Sequence, residues 1–187
     1  MEFRQVINQR MSIRIFDQKD VDNQAIQQIL WCGHQAPTAG NLQPWEFIVI
    51  RRPEIKEAIV KTTFVGNDEQ SKNTQAWMLK ASVFIVICAN VEKTKARYGK
   101  KSTESLIYLD ISACVENMLL AAVDLQLASC YISGFRENEL ISALSLPEGI
   151  LPIAVLPIGY PASIPEKRKK RDLQEIVHYE HYGQLKK

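Results

Sequence analysis

The sequence predicts an α+β fold in three layers, with helices packed around a mixed sheet. Three observations carry that prediction. Helical and strand patterns alternate along the chain with irregular spacing. Residues 82 to 89 form a continuous apolar run of strand length, as a central strand covered on both faces requires. The segment from about 103 to 127 is apolar around nearly its whole circumference, through Leu106, Ile107, Leu109, Ile111, Val115, Met118, Leu119, Ala122 and Val123. A helix of that kind belongs in a large core or at a subunit interface. A chain of 187 residues has little room to bury it on every side, so a dimer with this helix at its centre is expected.

The other elements follow in order. Asp22 is placed to cap a helix running to about residue 35, with Ile26, Ile29 and Leu30 on one face. Residues 46 to 51 read as a strand, and Pro53 suits the first turn of a helix reaching about residue 61. The stretch 62 to 75 is polar and poorly periodic, the pattern of a mobile loop or lid. A short strand is expected over 128 to 132, then a helix from about 137 to 145 stopped by Pro147. Residues 150 to 158 are an apolar strand whose Pro152 and Pro157 imply an edge or a bulge.

The 46% hydrophobic and 24% charged content is that of an ordinary globular protein, most simply one domain over residues 1 to 187. Such a domain buries roughly 70% of its unfolded surface. The N-terminus lacks the apolar core of a secretory signal, and cytoplasm is the expected location. Cys32, Cys88, Cys114 and Cys130 stand singly in apolar segments, so packed, reduced thiols are expected. His178 and His181 are three apart but lack an accompanying acidic or sulfur ligand set, and no metal site is expected. The net charge of +2 hides one local excess, the five cations Lys167 to Arg171. That run is a solvated loop or, less simply, a nucleic-acid contact, for which no basic helix or aromatic platform extends the footprint.

Two short stretches carry the functional reading. Arg10-Met11-Ser12-Ile13-Arg14 sets two arginines four residues apart around a hydroxyl. If helical or tightly turned, the stretch aims both guanidinium groups at one anion, a phosphate above all. Pro37-Thr38-Ala39-Gly40-Asn41-Leu42-Gln43-Pro44-Trp45 is a turn of small residues leading into a strand. Gly40 and Ala39 allow peptide groups, with Thr38 and Asn41, to approach a flat ligand closely.

In these two stretches, in Leu156-Pro157-Ile158-Gly159-Tyr160-Pro161, in the basic tail ending Ile176-Val177-His178, and in the order of elements, the chain resembles the FMN-dependent nitroreductase family. The resemblance spans almost the whole chain. It implies a three-layer α/β/α fold on a mostly antiparallel central sheet, and a homodimer with FMN at each subunit interface. It further implies that Arg10, Met11, Ser12 and Arg14 contact the phosphate, ribityl chain or pyrimidine edge, with Lys169 and Arg171 adding charge at the phosphate. Pro37, Thr38, Ala39 and Asn41 would come from the partner subunit onto the ring, while Ser133 and Gly134 lie near flavin N5. Met11 stands where arginine is frequent, Thr38 where serine is, and Ser133 where glycine is. Gln126 to Tyr131 replaces a glycine-rich stretch.

The implied activity is reduction of nitroaromatics, quinones or related acceptors by NADH or NADPH, with hydride passing through N5 in a ping-pong cycle and no catalytic side chain required. A reductive dehalogenase of the same fold is an alternative, its substrate covered by residues 62 to 75 or 93 to 103. A flavin-binding sensor or carrier without turnover is another. Trp31, Trp45 and Trp77 are expected to pack rather than stack on a ligand, and Tyr98 and Tyr108 to flank a surface loop at 99 to 101. Asp110 and Glu116 are expected to pair with cations at the dimer seam.

Overall fold

The computed structural model describes residues 1–66, 69–100 and 105–185. Six helices are described: α1 (Phe3–Gln9), α2 (Asn23–His34), α3 (Pro53–Thr62), α4 (Val91–Tyr98), α5 (Leu106–Asp124) and α6 (Glu137–Leu144). Four strands, β1 (Trp45–Ile50), β2 (Val83–Asn90), β3 (Ala128–Ser129) and β4 (Ile150–Gly159), form one sheet in the order β1-β2-β4-β3. Every pairing between these strands is antiparallel. The parallel component is a bridge between Ser12 and Ser129.

Strand alternation explains the three layers. Val83, Ile85, Ile87 and Ala89 of β2 point to one face, where they pack with Ile26 and Ile29 of α2 and with Ile107, Ile111, Cys114 and Met118 of α5. Phe84, Val86 and Cys88 point to the other, against Ile59 and Val60 of α3 and Leu140 of α6. With both faces covered, β2 has no polar side to show, hence its unbroken apolar run. Pro152 is tolerated through a bulge: Ile87 faces Ala154 but Cys88 faces Pro152, leaving Ile153 as the extra residue. β4 is nevertheless an interior strand, and β3 pairs with it only beyond Pro157, at Ile158 and Gly159.

Local chemistry sets the helix ends. The Asp22 carboxylate accepts the Ala25 N–H at 2.7 Å, capping α2. α5 and α6 each close through a left-handed residue, Gln126 and Ser145, followed by an N–H returning five residues, Leu127 to Ala122 and Leu146 to Ile141. The stop before Pro147 is therefore this Schellman turn. Residues 103 and 104, the expected start of the long helix, lie outside the described residues, as does part of the expected loop at 99 to 101.

α5 is long and apolar enough to cross a membrane, yet it packs as a core helix against α2 and the sheet. One stripe is left uncovered, with Leu109 66% exposed beside Tyr108, Ser112 and Glu116. Trp31 of α2, expected to be packed, is 63% exposed within this chain, because it projects from α2 into a groove with Phe3, Leu120 and Ala121 rather than into the core. Trp45 is buried and donates to His34 Nδ1 at 3.1 Å, while Trp77 stacks on Phe16. All four cysteines are free; Cys88, Cys114 and Cys130 are buried, and burial pushes the Cys88 and Cys114 thiols up to about 12.

The stretch 62 to 75 departs from a free lid. Thr63 is fully buried, bridges Phe135 and accepts the Gln75 N–H at 2.8 Å, and Val65 donates to Asn73 at 3.0 Å. Residues 67 and 68 lie outside the described residues. Asp110 on α5 accepts the Ala39 N–H at 3.0 Å and so anchors the 37–41 turn to the core helix. Among the described residues its Oδ2 is buried without a hydrogen bond.

Two outcomes test this packing. A Cβ on Gly33 would sit 2.6 Å from Met118 Cγ and 3.1 Å from Cys114 Sγ, so Gly33→Ala is expected to destabilise the protein by about 1–3 kcal/mol in urea unfolding. An unchanged midpoint would contradict the close α2–α5 approach. Burial raises the Asp110 carboxyl, opposed by the Ala39 hydrogen bond. A raised carboxyl favours folding while protonated, so that stability is lost as pH rises through the folded pKa. Asp110→Asn keeps an acceptor without charge and is expected to raise the melting temperature at neutral pH, with the gain shrinking in acid. A gain independent of pH would contradict this.

Candidate functional site

Residues 10 to 14 are extended rather than helical. α1 ends at Gln9, Ser12 bridges Ser129, and the Ile13 N–H donates to the Ser129 carbonyl at 3.0 Å. Strand alternation then sends Ile13 into the core and puts Arg10, Ser12 and Arg14 on the opposite side. The two arginines share a face through period two instead of a helical turn, and they do not converge on one point. In extended backbone the two arginines stand about 13 Å apart along the chain, a span suited to a long ligand rather than a lone anion.

These residues, with Met11, line a cleft of about 310 Å³ whose other wall is the tail, through Lys167, Arg168 and Lys170. The tail is held there by Lys167, whose ammonium donates to the Asn8 carbonyl at 2.6 Å and to its side-chain oxygen. Five cations thus border the cleft against one lining carboxylate, Glu166. A second carboxylate lies near, Glu116 of α5, 3.6 Å from Arg10. Lys169 and Arg171 do not line the cleft, and Arg171 instead approaches Glu175 at 3.8 Å. Arg14 lies over Trp77, 5.8 Å from the ring centroid, which braces its guanidinium. Cys130 backs this group: burial raises its thiol pKa, and Arg14, Ser12 and Arg10 oppose the rise.

The 37–41 turn is not brought to this cleft. It forms a 3₁₀ turn at Ala39–Asn41, with Gly40 and Asn41 both at φ 56°. Thr38 Oγ1 accepts the Gln43 N–H at 3.1 Å, Asp110 holds Ala39, and Arg97 donates to the Gly40 carbonyl at 2.9 Å. Pro37, Gly40 and Asn41 remain exposed. The turn is rigidly built and offers its outer surface.

Ser133 and Gly134 lie just beyond β3. Because Ile132 bridges Val155, Tyr131 and Ser133 face away from it, into a cavity of about 810 Å³ shared with Tyr108, Glu69, Gln70 and Arg136. Ser129 joins this segment to the basic cleft through Ser12 and Ile13. The sequence marks Lys167, Arg168 and Lys170 only as part of a basic run and Asp110 only as an ion-pair candidate, and it does not mark Arg136. For the tail the signal was the five-cation run itself, whereas Asp110 and Arg136 act through contacts distant in sequence.

Against this geometry, comparison with known proteins is specific. Residues 7–160 match the model of the Nitroreductase family. An Archaeoglobus fulgidus protein provisionally named NADH dehydrogenase/NAD(P)H nitroreductase is 32% identical over 164 residues, covering 86% of each chain. The oxygen-insensitive NADPH nitroreductase of Salmonella typhimurium is 27% identical over 93% of this chain and 72% of its own. A nitroreductase-type protein of Desulfovibrio desulfuricans, crystallised with FMN, superposes with a TM-score of 0.78 at 28% identity, covering 97% of this chain and 98% of that one. Sequence and fold agree, and the chain belongs to the nitroreductase family.

Proposed function

We propose that this protein is an FMN-dependent oxidoreductase that uses NADH or NADPH to reduce nitroaromatics, quinones or related small acceptors, and that it works as a homodimer. The observation that carries the reading is the cleft in which Arg10, Ser12 and Arg14 face the cations of the tail. Its donor set suits a phosphate ester, since guanidinium and ammonium groups supply charge and several N–H donors. The segment Tyr131 to Gly134, which borders the 810 Å³ cavity, follows closely on Ser129, the bridge partner of Ser12 in the cleft. Relatives named FMN reductase (NADPH) and NADPH nitroreductase support the assignment.

FMN held in this cleft would supply two-electron hydride chemistry between a nicotinamide nucleotide and the acceptor. The chain's own residues bind and orient. Arg10, Lys167, Arg168 and Lys170 offer charge to the phosphate, with Lys169 and Arg171 raising the potential from the tail surface. Arg14, braced on Trp77, favours electron density at the pyrimidine edge. Ser133 and Gly134 present backbone at the reacting edge. Pro37, Thr38, Ala39 and Asn41, held by Asp110 and Arg97, cover the ring from a second copy. The exposed stripe of α5, Trp31 and the apolar tail residues Ile164 and Leu173 supply the surface such a copy would bury.

Purified protein is expected to be yellow, and anaerobic NADH or NADPH to bleach it. Bleaching by neither nucleotide would favour a carrier. Arg10→Ala and Arg14→Ala are each expected to weaken FMN binding by about 1.5–3 kcal/mol for every charged hydrogen bond lost, with affinity falling as salt rises. Wild-type affinity for FMN in the double variant, followed by flavin fluorescence, would place the phosphate elsewhere.

A further inference from the structure

Outside the basic cleft, Arg136 gathers several long-range contacts among the described residues. Its Nε donates to the Glu69 carbonyl at 2.7 Å and its Nη2 to the Ser71 carbonyl at 2.6 Å, so one fork spans two carbonyls of the 62–75 stretch. Its Nη1 approaches the Thr62 carbonyl at 3.3 Å, and its backbone N–H donates to that same oxygen at 2.8 Å. Among the described residues it also has a charged partner in Glu139, one helical turn on, at 3.7 Å. One side chain therefore ties both the root of the stretch and its far side to the residue three after Ser133. Phe64 N–H to the Gly134 carbonyl, at 3.1 Å, adds a backbone link beside it.

Those contacts have a consequence for shape. Glu69 and Gln70 line the cavity into which Tyr131 and Ser133 face, so Arg136 holds one wall of that cavity against another. We infer that Arg136 is a positioning residue that fixes the Glu69–Gln70 wall and thereby sets the room available to the electron acceptor. The inference rests on the flavoenzyme reading for its link to catalysis, because it places the acceptor in the cavity at Ser133. The geometry explains why arginine serves here. A planar fork with separate N–H groups reaches the Glu69 and Ser71 carbonyls together, whereas a lysine ammonium is a point donor.

The test compares Arg136→Ala and Arg136→Lys with the wild type, all loaded with FMN. Hydrogen exchange is read at the Val65 and Gln75 amides, which bond to Asn73 and Thr63 inside the tied stretch. In both variants these amides are expected to exchange at least about tenfold faster, with the amides of β2 unchanged. The acceptor KM is expected to rise about tenfold while kcat stays within about twofold, since ordering the wall is then charged to binding. FMN affinity should not move. Unchanged exchange at Val65 and Gln75 overturns the inference, as does faster exchange with an unchanged KM. Full rescue by lysine overturns it too, by assigning the effect to the Glu139 ion pair. If the wild type neither binds FMN nor turns over, the flavoenzyme reading fails, and the exchange comparison still decides whether Arg136 holds the wall.

Discussion

Ile13 donates its backbone N–H to the Ser129 carbonyl, and with the Ser12–Ser129 bridge this holds the segment after α1 extended along β3. The rest of the site depends on that pairing. It fixes which residues alternate outward, and so places Arg10, Ser12 and Arg14 together while Ile13 enters the core. A slip of one residue would bury the arginines and expose Ile13, at a cost of unpaired buried charge that no local contact offsets. The register of a strand addition thus defines the charge of the cleft.

The three-layer core in turn makes that register rigid. β2, sealed on both faces, anchors β4, and β4 carries the two-residue β3 at its outer side. From this platform the functional segments leave as short extensions: residues 10 to 14 beside β3, Tyr131 to Gly134 beyond it, and the tail after β4. α5 links the remainder. Its Asp110 holds the 37–41 turn, its Glu116 approaches Arg10, and its uncovered stripe lies between them. This one helix thus touches both parts of the site and still exposes Leu109.

Features governed by neighbouring residues were legible in the sequence. The Asp22 cap, Pro53 at the start of α3 and the doubly buried β2 depend on local propensity and burial, and the structure places each where the pattern puts it. Features governed by distant partners were not. Nothing within residues 10 to 14 announces Ser129, so their helical geometry was the natural guess and strand alternation is the finding. The polarity of 62 to 75 read as mobility, because the Arg136 fork that ties it is more than sixty residues away. In the tail, consecutive exposed cations carry no periodicity, so the sequence marked the run but not that Lys167, Arg168 and Lys170 line the cleft. Trp31 looked like a core residue by type, yet its position on α2 turns it outward.

In the function proposed above, each chain contributes the cationic half of a flavin site and a second copy completes it. Native mass spectrometry of the purified protein tests this most directly. A dimer carrying one FMN per chain is expected, with the flavin lost when dilution or substitution at Leu109 separates the subunits. A monomer that retains tightly bound FMN, or a stable dimer that takes up none when FMN is supplied, would contradict it.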